Sequence, residues 1–288
     1  MMKKIFCILA AVCIFAMPFT VSADLAEGDM IVTLGENLSD VQKEALLKEM
    51  GAPGDVQVVT VSNKEEHQYL GKYVPKAMIG TRAISSSAIT MKKKDTGLTV
   101  TTKNITWVTD EMYLNALMTA GVKDASIYIT APVAVSGTAA LTGIIKAYEI
   151  SADETIPEEI KQAANQEMVE TAKLGDSIGK ENASALIAKV KEEIAKEKPK
   201  DEEELKALIQ QQAKELKVDL TSEELQSLTA LFKKLQDLNI DWGQVGDQLN
   251  MAKDKFSKFL DSEEGKGILA NLKKFFKSIA DAIRSFFE

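Results

Sequence analysis

Four clusters of side chains in this sequence have residue types and spacings that suit chemistry. The first is Asn63, Glu65, Glu66 and His67, the last being the chain's one histidine. Two carboxylates beside an imidazole could serve as acid and base or as metal ligands. They are successive, however, so a helix would fan them out, and glutamate near a helix start is already favoured by the helix dipole. Capping is the plainer reading of Glu65 and Glu66. The second cluster is Ser136-Gly137-Thr138, between Val133 to Val135 and a small-residue helix beginning at Ala139. Free amides and a hydroxyl at such a helix start favour an anionic group. The plainer alternative has Ser136 capping the helix while Gly137, Ala139, Ala140 and Gly143 permit close packing.

The third cluster, Ser85-Ser86-Ser87, offers hydroxyls on an alternating segment with no GxSxG elbow and no base nearby in sequence. The fourth, Ser177-Ile178-Gly179-Lys180, matches the Ser-Lys spacing of penicillin-recognising enzymes without their companion motifs; Lys94-Asp95-Thr96-Gly97 carries an insertion that spoils the third of them. The sequence contains no phosphate loop, no HExxH and no metal-ligand spacing, so neither cofactor nor metal is expected.

Positioning these residues falls to a two-part chain. Residues 1–23 hold Lys3 and Lys4, a 13-residue apolar run from Ile5 to Met17 and a small-residue site at Val21-Ser22-Ala23. That is the pattern of a secretory signal cut after Ala23, and the run is too short to span a bilayer. Both cysteines, Cys7 and Cys13, lie inside it, so an exported chain has no thiol for a disulfide, a metal or a nucleophile. Lipidation at Cys13 is disfavoured by the residues before it, Ala10-Ala11-Val12. Removing the segment leaves 33 basic against 43 acidic residues, a formal charge of −10, which argues against a nucleic-acid partner.

From 24 to 150 the pattern predicts an α/β (or α+β) domain. Met30 to Leu34 alternates as a strand, Ser39 and Asp40 cap a helix whose Val41, Ala45, Leu46 and Met50 share a face, Gly51 stops it, and Val56 to Val61 is a second strand. The order is that of a parallel crossover unit. Thr109 to Gly121 repeats the cap-to-stop length of Ser39 to Gly51, and each copy leads through an aspartate, Asp55 or Asp124, into an apolar strand. This suggests a duplicated strand-helix-strand unit. Arg82 to Met91 and Leu98 to Lys103, joined by Lys92 to Gly97, look like a hairpin. Its lysine tip could meet an anionic envelope polymer or simply be solvated.

From 151 to 288 the composition turns to Ala, Glu, Lys, Gln and Leu, and an all-α domain is expected. Pro157 opens a helix that Gly175 would stop, and capping-box patterns at Asp201 to Glu204 and Thr221 to Glu224 start others. In the last, Phe275, Phe276, Ile279, Ile283 and Phe286 share a side that Lys273, Lys274, Lys277 and Arg284 largely avoid. Such a helix lies on a membrane surface or packs into the bundle.

At Asn63-Lys64-Glu65-Glu66, Ile84-Ser85-Ser86, Asn104-Ile105-Thr106, Ala116 to Gly121 and Ser136 to Gly143 the chain resembles the domain of unknown function 1002 family, secreted proteins found chiefly in Firmicute bacteria. The resemblance is strongest from Thr60 to Glu149. It implies an extracytoplasmic compartment and implies no mechanism. With the clusters above it nominates Asn63, Ser85, Ser86, Asn104, Ser136, Gly137 and Thr138 as ligand contacts. Glu65, Glu66 and Ser136 are the catalytic candidates. The first functional expectation is a non-enzymatic binding or cell-envelope-associated protein, its partner an envelope component or membrane surface. The second is a hydrolase or transferase using Ser136 with nearby carboxylates.

Overall fold

The computed structural model describes residues 27–252, so the signal segment and the Phe-rich stripe from Phe275 to Phe286 lie outside the described residues. The amino-terminal half runs β1 (Met30–Gly35), α1 (Asp40–Glu49), β2 (Gln57–Val61), α2 (Asn63–Leu70), α3 (Lys76–Ile79), β3 (Ser86–Met91), β4 (Thr99–Thr102), α4 (Asp110–Thr119), β5 (Ala125–Thr130) and α5 (Ala140–Ala152). Among the described residues only helices follow: α6 (Glu158–Ile178), α7 (Lys180–Glu197), α8 (Glu202–Glu215), α9 (Ser222–Asp237) and α10 (Trp242–Met251). A mixed α/β half followed by a helical half is the fold class the composition implies.

Both expected strand-helix-strand units are present, β1-α1-β2 and β4-α4-β5, each with its two strands paired in parallel. Their helices begin alike, with the Ser39 and Thr109 hydroxyls accepting from the amides of Gln42 and Met112. They end alike too. Gly51 and Gly121 take left-handed backbone at φ 67° and 81°, and the next amides, Ala52 and Val122, reach back to the carbonyls of Leu47 and Leu117. This doubly bonded stop needs a residue that tolerates positive φ, which glycine does at no steric cost.

The units differ in placement. Strand order is β2-β1-β3-β5-β4, and β3 runs against the other four strands, which share one direction. Both crossovers therefore step the same way along the sheet. Yet Leu46 and Met50 of α1 pack with Val32, Leu34 and Ala88 on one face, while α4 packs with Ile89, Val100 and Ile127 on the other. Equal steps on opposite faces have opposite hands, so one crossover departs from the usual right-handed connection. Val41, expected on the buried side of α1, is 77% exposed.

The hairpin expectation is corrected by this order. β5 separates β3 from β4, pairing antiparallel with the first and parallel with the second. Ala125, Ile127 and Ile129 are fully buried, and an apolar strand of this kind gains most from the position between two neighbours. The lysine turn spans the gap instead, held by Asp124 Oδ1, which accepts the amides of Thr96 and Gly97 at 2.9 Å.

The apolar cluster under α4 and α5 continues into α6 through Met168, Val169 and Ala172 and into α10 through Val245 and Leu249. A second cluster lies among α6, α7, α8 and α9. Gly175 does not stop α6. It sits inside the helix where a β-carbon would lie 3.0 Å from Lys180 Cα, and the stop falls at Gly179, φ 91°. Between α4, α6 and α7, Glu167 and Lys191 form a fully buried ion pair at 2.6 Å. Lys191 also donates to the Asn115 carbonyl, and the Thr119 hydroxyl donates to Glu167. Burial pushes the Glu167 carboxyl up and the Lys191 ammonium down, each against the pull of the other.

Candidate functional site

Three helices, α2, α5 and α6, meet around a cleft of about 180 Å³ lined by Glu65, Tyr69, Thr142, Ile145, Lys146, Glu149, Lys161 and Asn165. Its α5 wall is Thr142, Ile145, Lys146 and Glu149, the i, i+3, i+4, i+7 spacing that puts side chains on one helical stripe. The rest of α5 is mostly buried against the sheet. It lies close there because Gly143 has no β-carbon; one would stand 2.9 Å from Thr33 Oγ1.

Glu65 is fixed from two sides. Its Oε2 accepts from the Ser62 amide and hydroxyl, both at 2.8 Å, completing the capping box of α2, and its Oε1 accepts from Lys146 Nζ at 2.7 Å. Burial opposes ionisation of Glu65, but Lys146 and the Ser62 donors outweigh it and hold the carboxyl below its ordinary range. Lys146 also donates to the Thr60 carbonyl at 3.1 Å. Across the cleft, Lys161 Nζ lies 3.1 Å from Glu149 Oε1 and 3.5 Å from Glu158 Oε2. Burial pulls the Lys161 ammonium down, and Glu149 more than restores it, so the net movement is upward. The Tyr69 hydroxyl donates to Glu158 Oε2 at 3.2 Å, and burial pushes its pKa above the usual phenol value.

Two polar atoms of the lining residues stand apart from this pairing. Thr142 Oγ1 and Asn165 Oδ1 are buried and have no hydrogen-bond partner among the described residues. The Asn165 amide group is otherwise engaged, donating to the Lys161 carbonyl at 2.8 Å. Leaving a buried polar atom unsatisfied costs roughly 1–3 kcal/mol. Other buried atoms among the described residues, Ser86 Oγ and Asn115 Oδ1 among them, share this state, and Thr142 and Asn165 are set apart by belonging to the lining of a cleft.

The residues nominated from sequence are not gathered here. Glu65 alone of them lines the cleft. Glu66 turns inward, accepting from Asn63 Nδ2 at 2.9 Å; burial raises it to about 7, with the charge of Glu65 adding to the effect and Asn63 opposing it. His67 Nε2 lies 3.0 Å from the Gly80 carbonyl, tying α2 to the next loop. Ser85 is half-buried just before β3, and Ser86 is buried opposite Thr130. Asn104, at φ 60°, donates from Nδ2 to the Ala131 carbonyl at 2.7 Å and so closes the loop after β4.

Ser136 does not cap α5. The cap position is Ala139, which makes no side-chain cap bond, and the Ser136 hydroxyl faces Thr138 Oγ1 at 3.4 Å. Thr138 is buried, and Gly137 takes φ 92° with its carbonyl accepting from the Tyr113 hydroxyl. A β-carbon on Gly137 would meet Ile105 Cγ2 at 2.4 Å, so this glycine serves backbone packing. Among the described residues no group of three or more His, Cys, Asp or Glu could hold a metal ion. Among the described residues the Ser136 hydroxyl has Thr138 Oγ1 as its neighbour and the Ser86 hydroxyl has no partner, so neither meets a carboxylate or imidazole.

The sequence reading missed Tyr69, Thr142, Lys146, Glu149, Lys161 and Asn165. The signal available was the polar stripe at 142, 146 and 149 on a helix otherwise made of small and apolar residues.

No solved structure matches this chain. A relative in Bacillus subtilis (strain 168), described as uncharacterized protein YpuA, is 55% identical over 290 residues, an alignment covering the whole of both chains. The family described as protein of unknown function (DUF1002) matches residues 34–252, and with that match over most of its length the chain belongs to the DUF1002 family.

Proposed function

We propose that this is a secreted, non-enzymatic binding protein of the cell envelope, with the cleft between α2, α5 and α6 as its binding site. One observation carries the reading: a cleft whose charged side chains are already paired retains, in its lining residues, two buried polar atoms with no partner among the described residues. Fixed pairs and unfulfilled hydrogen-bonding groups suit recognition. Catalysis would call for a nucleophile and a base within reach of each other, and Ser136 and Glu65 do not share a cleft. The leader pattern of residues 1–23 supports export.

The test is co-sedimentation of the exported chain with its own isolated envelope fraction, beside a Lys146→Met/Asn165→Leu variant shown by circular dichroism to be folded. Retention of the wild type and loss of the variant is the expected result. Equal retention of both would remove the cleft from the reading, and no retention of either would remove envelope binding.

A second reading rests on the Phe275, Phe276, Ile279, Ile283 and Phe286 stripe with its basic residues on the other side. It makes the carboxyl-terminal segment a membrane-surface anchor. Flotation with anionic vesicles separates the two readings: Phe275→Ser/Phe276→Ser abolishes co-flotation if the segment is the anchor, and a wild type that stays at the bottom of the gradient ends that reading.

A further inference from the structure

Resting on the proposal that this cleft is a binding site, we infer that its ligand is a small neutral polyhydroxylated molecule of the size of one sugar ring. Volume sets the first bound. At about 180 Å³ the cleft is smaller than the roughly 300 Å³ from which drug-sized sites begin, so it holds a single small ring or residue.

Charge sets the second. The lining carries two carboxylates, Glu65 and Glu149, and two ammonium groups, Lys146 and Lys161, and each carboxylate already has its ammonium at 2.7 or 3.1 Å. A charged ligand would have to break one of these pairs or bring in a charge without a counterpart, which is expensive in a partly desolvated site. Glu158, against both Lys161 and Tyr69, adds a further negative charge and weighs against anions in particular.

Hydrogen-bonding capacity sets the third. Asn165 Oδ1 only accepts, and Thr142 Oγ1 can both donate and accept. The ammonium groups donate and the carboxylates accept beside them. A hydroxyl is the neutral group that accepts from one such neighbour while donating to another, so a ring carrying several hydroxyls can satisfy Thr142, Asn165 and the outward lone pairs of the ion pairs together. Ile145 and the ring of Tyr69 supply the apolar part of the lining, against which the C–H face of a sugar packs. A zwitterionic amino acid matches the lining less well, because its two charges compete with pairs already made.

The experiment is a titration of the isotope-labelled exported chain, followed by amide shifts, with N-acetylglucosamine, methyl α-glucoside, alanine and inorganic phosphate, each to 20-fold above the ~1 mM expected of a weak small-ligand site. Saturable shifts at Thr142, Lys146 and Asn165 with either sugar, and none with alanine or phosphate, are expected. Thr142→Val, and independently Lys146→Met at the more exposed rim, should each raise the apparent Kd at least tenfold. Saturation by alanine or phosphate without the sugars would overturn the ligand class while leaving the cleft a binding site. Silence with all four probes overturns the inference as well; the binding reading then stands or falls separately on whether the cleft variant loses envelope retention.

Discussion

Replacing Glu66 by glutamine should change stability in a way that depends on pH, because the Glu66 carboxyl is shut away from water beside the ionised Glu65. Burial first, and the neighbouring charge second, move it to about 7 in the folded chain against the partial opposition of Asn63. An unfolded chain releases that proton in the ordinary carboxylate range. Between those two values the folded state holds a proton that the unfolded state has lost, so stability falls as pH rises through the interval and levels off above about 7. At roughly 1.4 kcal/mol for each tenfold change in acidity, the full effect is about 3 kcal/mol. Below the unfolded value both states hold the proton and the effect vanishes. Glutamine keeps the shape and an acceptor for Asn63 Nδ2 but carries no proton to lose. Urea unfolding at pH 5 and pH 8 therefore should find Glu66→Gln close to the wild type at the lower pH and more stable, by about 1 to 3 kcal/mol, at the higher. Titrations elsewhere in the chain cancel in the difference between the two proteins. A variant that is destabilised equally at both pH values would refute the reasoning, since it would mean that Glu66 is ionised throughout and held by its hydrogen bond.

Breaking the buried pair by Lys191→Met or by Glu167→Leu alone should lower the free energy of unfolding by roughly 3–5 kcal/mol, while the double variant should recover most of the loss, because neither buried charge then stands alone. Urea titration of all four proteins measures it, and two losses that simply add would contradict the pairing. Gly137→Ala should lower stability by roughly 2–4 kcal/mol, since the left-handed backbone and the collision with Ile105 and the Tyr113 hydroxyl act together; an unchanged thermal midpoint would count against that packing. Thr109→Ala should cost about 1 kcal/mol as a lost helix cap. Ser136→Ala, which removes no cap bond, should stay within about 0.5 kcal/mol. The reverse order in chemical unfolding would restore Ser136 as the cap of α5.

What could be read from the sequence was local. A cap, an apolar period and a glycine stop are encoded within a dozen residues, and Ser39 to Gly51 and Thr109 to Gly121 announce the same helix with the same doubly bonded end. Strand order is not local. Lys92 to Gly97 has the turn chemistry of a hairpin, but whether β3 and β4 touch depends on a third strand a few dozen residues on, which is more apolar than β4 and takes the place between them. The side of the sheet on which α1 or α4 lies is equally invisible, since an amphipathic helix says that it must be covered and not from which direction. Ser136-Gly137-Thr138 fails as a cap for a related reason: the glycine is needed left-handed, under Tyr113 and Ile105, and the turn that results carries the serine hydroxyl away from the helix amides.

The cleft combines both situations. Glu65 could be assigned its capping role from Ser62 three residues earlier, and the structure adds a second role because Lys146 reaches the oxygen that the cap leaves over. Lys146, with Thr142 and Glu149, lies on a stripe whose spacing can be counted in the sequence, and polar residues at that spacing on a helix otherwise fit for burial are a sign that something polar faces them. Lys161 and Asn165 complete the wall from another helix, four residues apart and so on one face, yet only the packing of α6 across α2 and α5 brings them opposite. A polar stripe on a helix that should be buried is thus a better guide to the cleft in this chain than the histidine or the paired carboxylates, because Glu65, Glu66 and His67 have local partners that account for them, whereas Thr142 Oγ1 and Asn165 Oδ1 have none among the described residues.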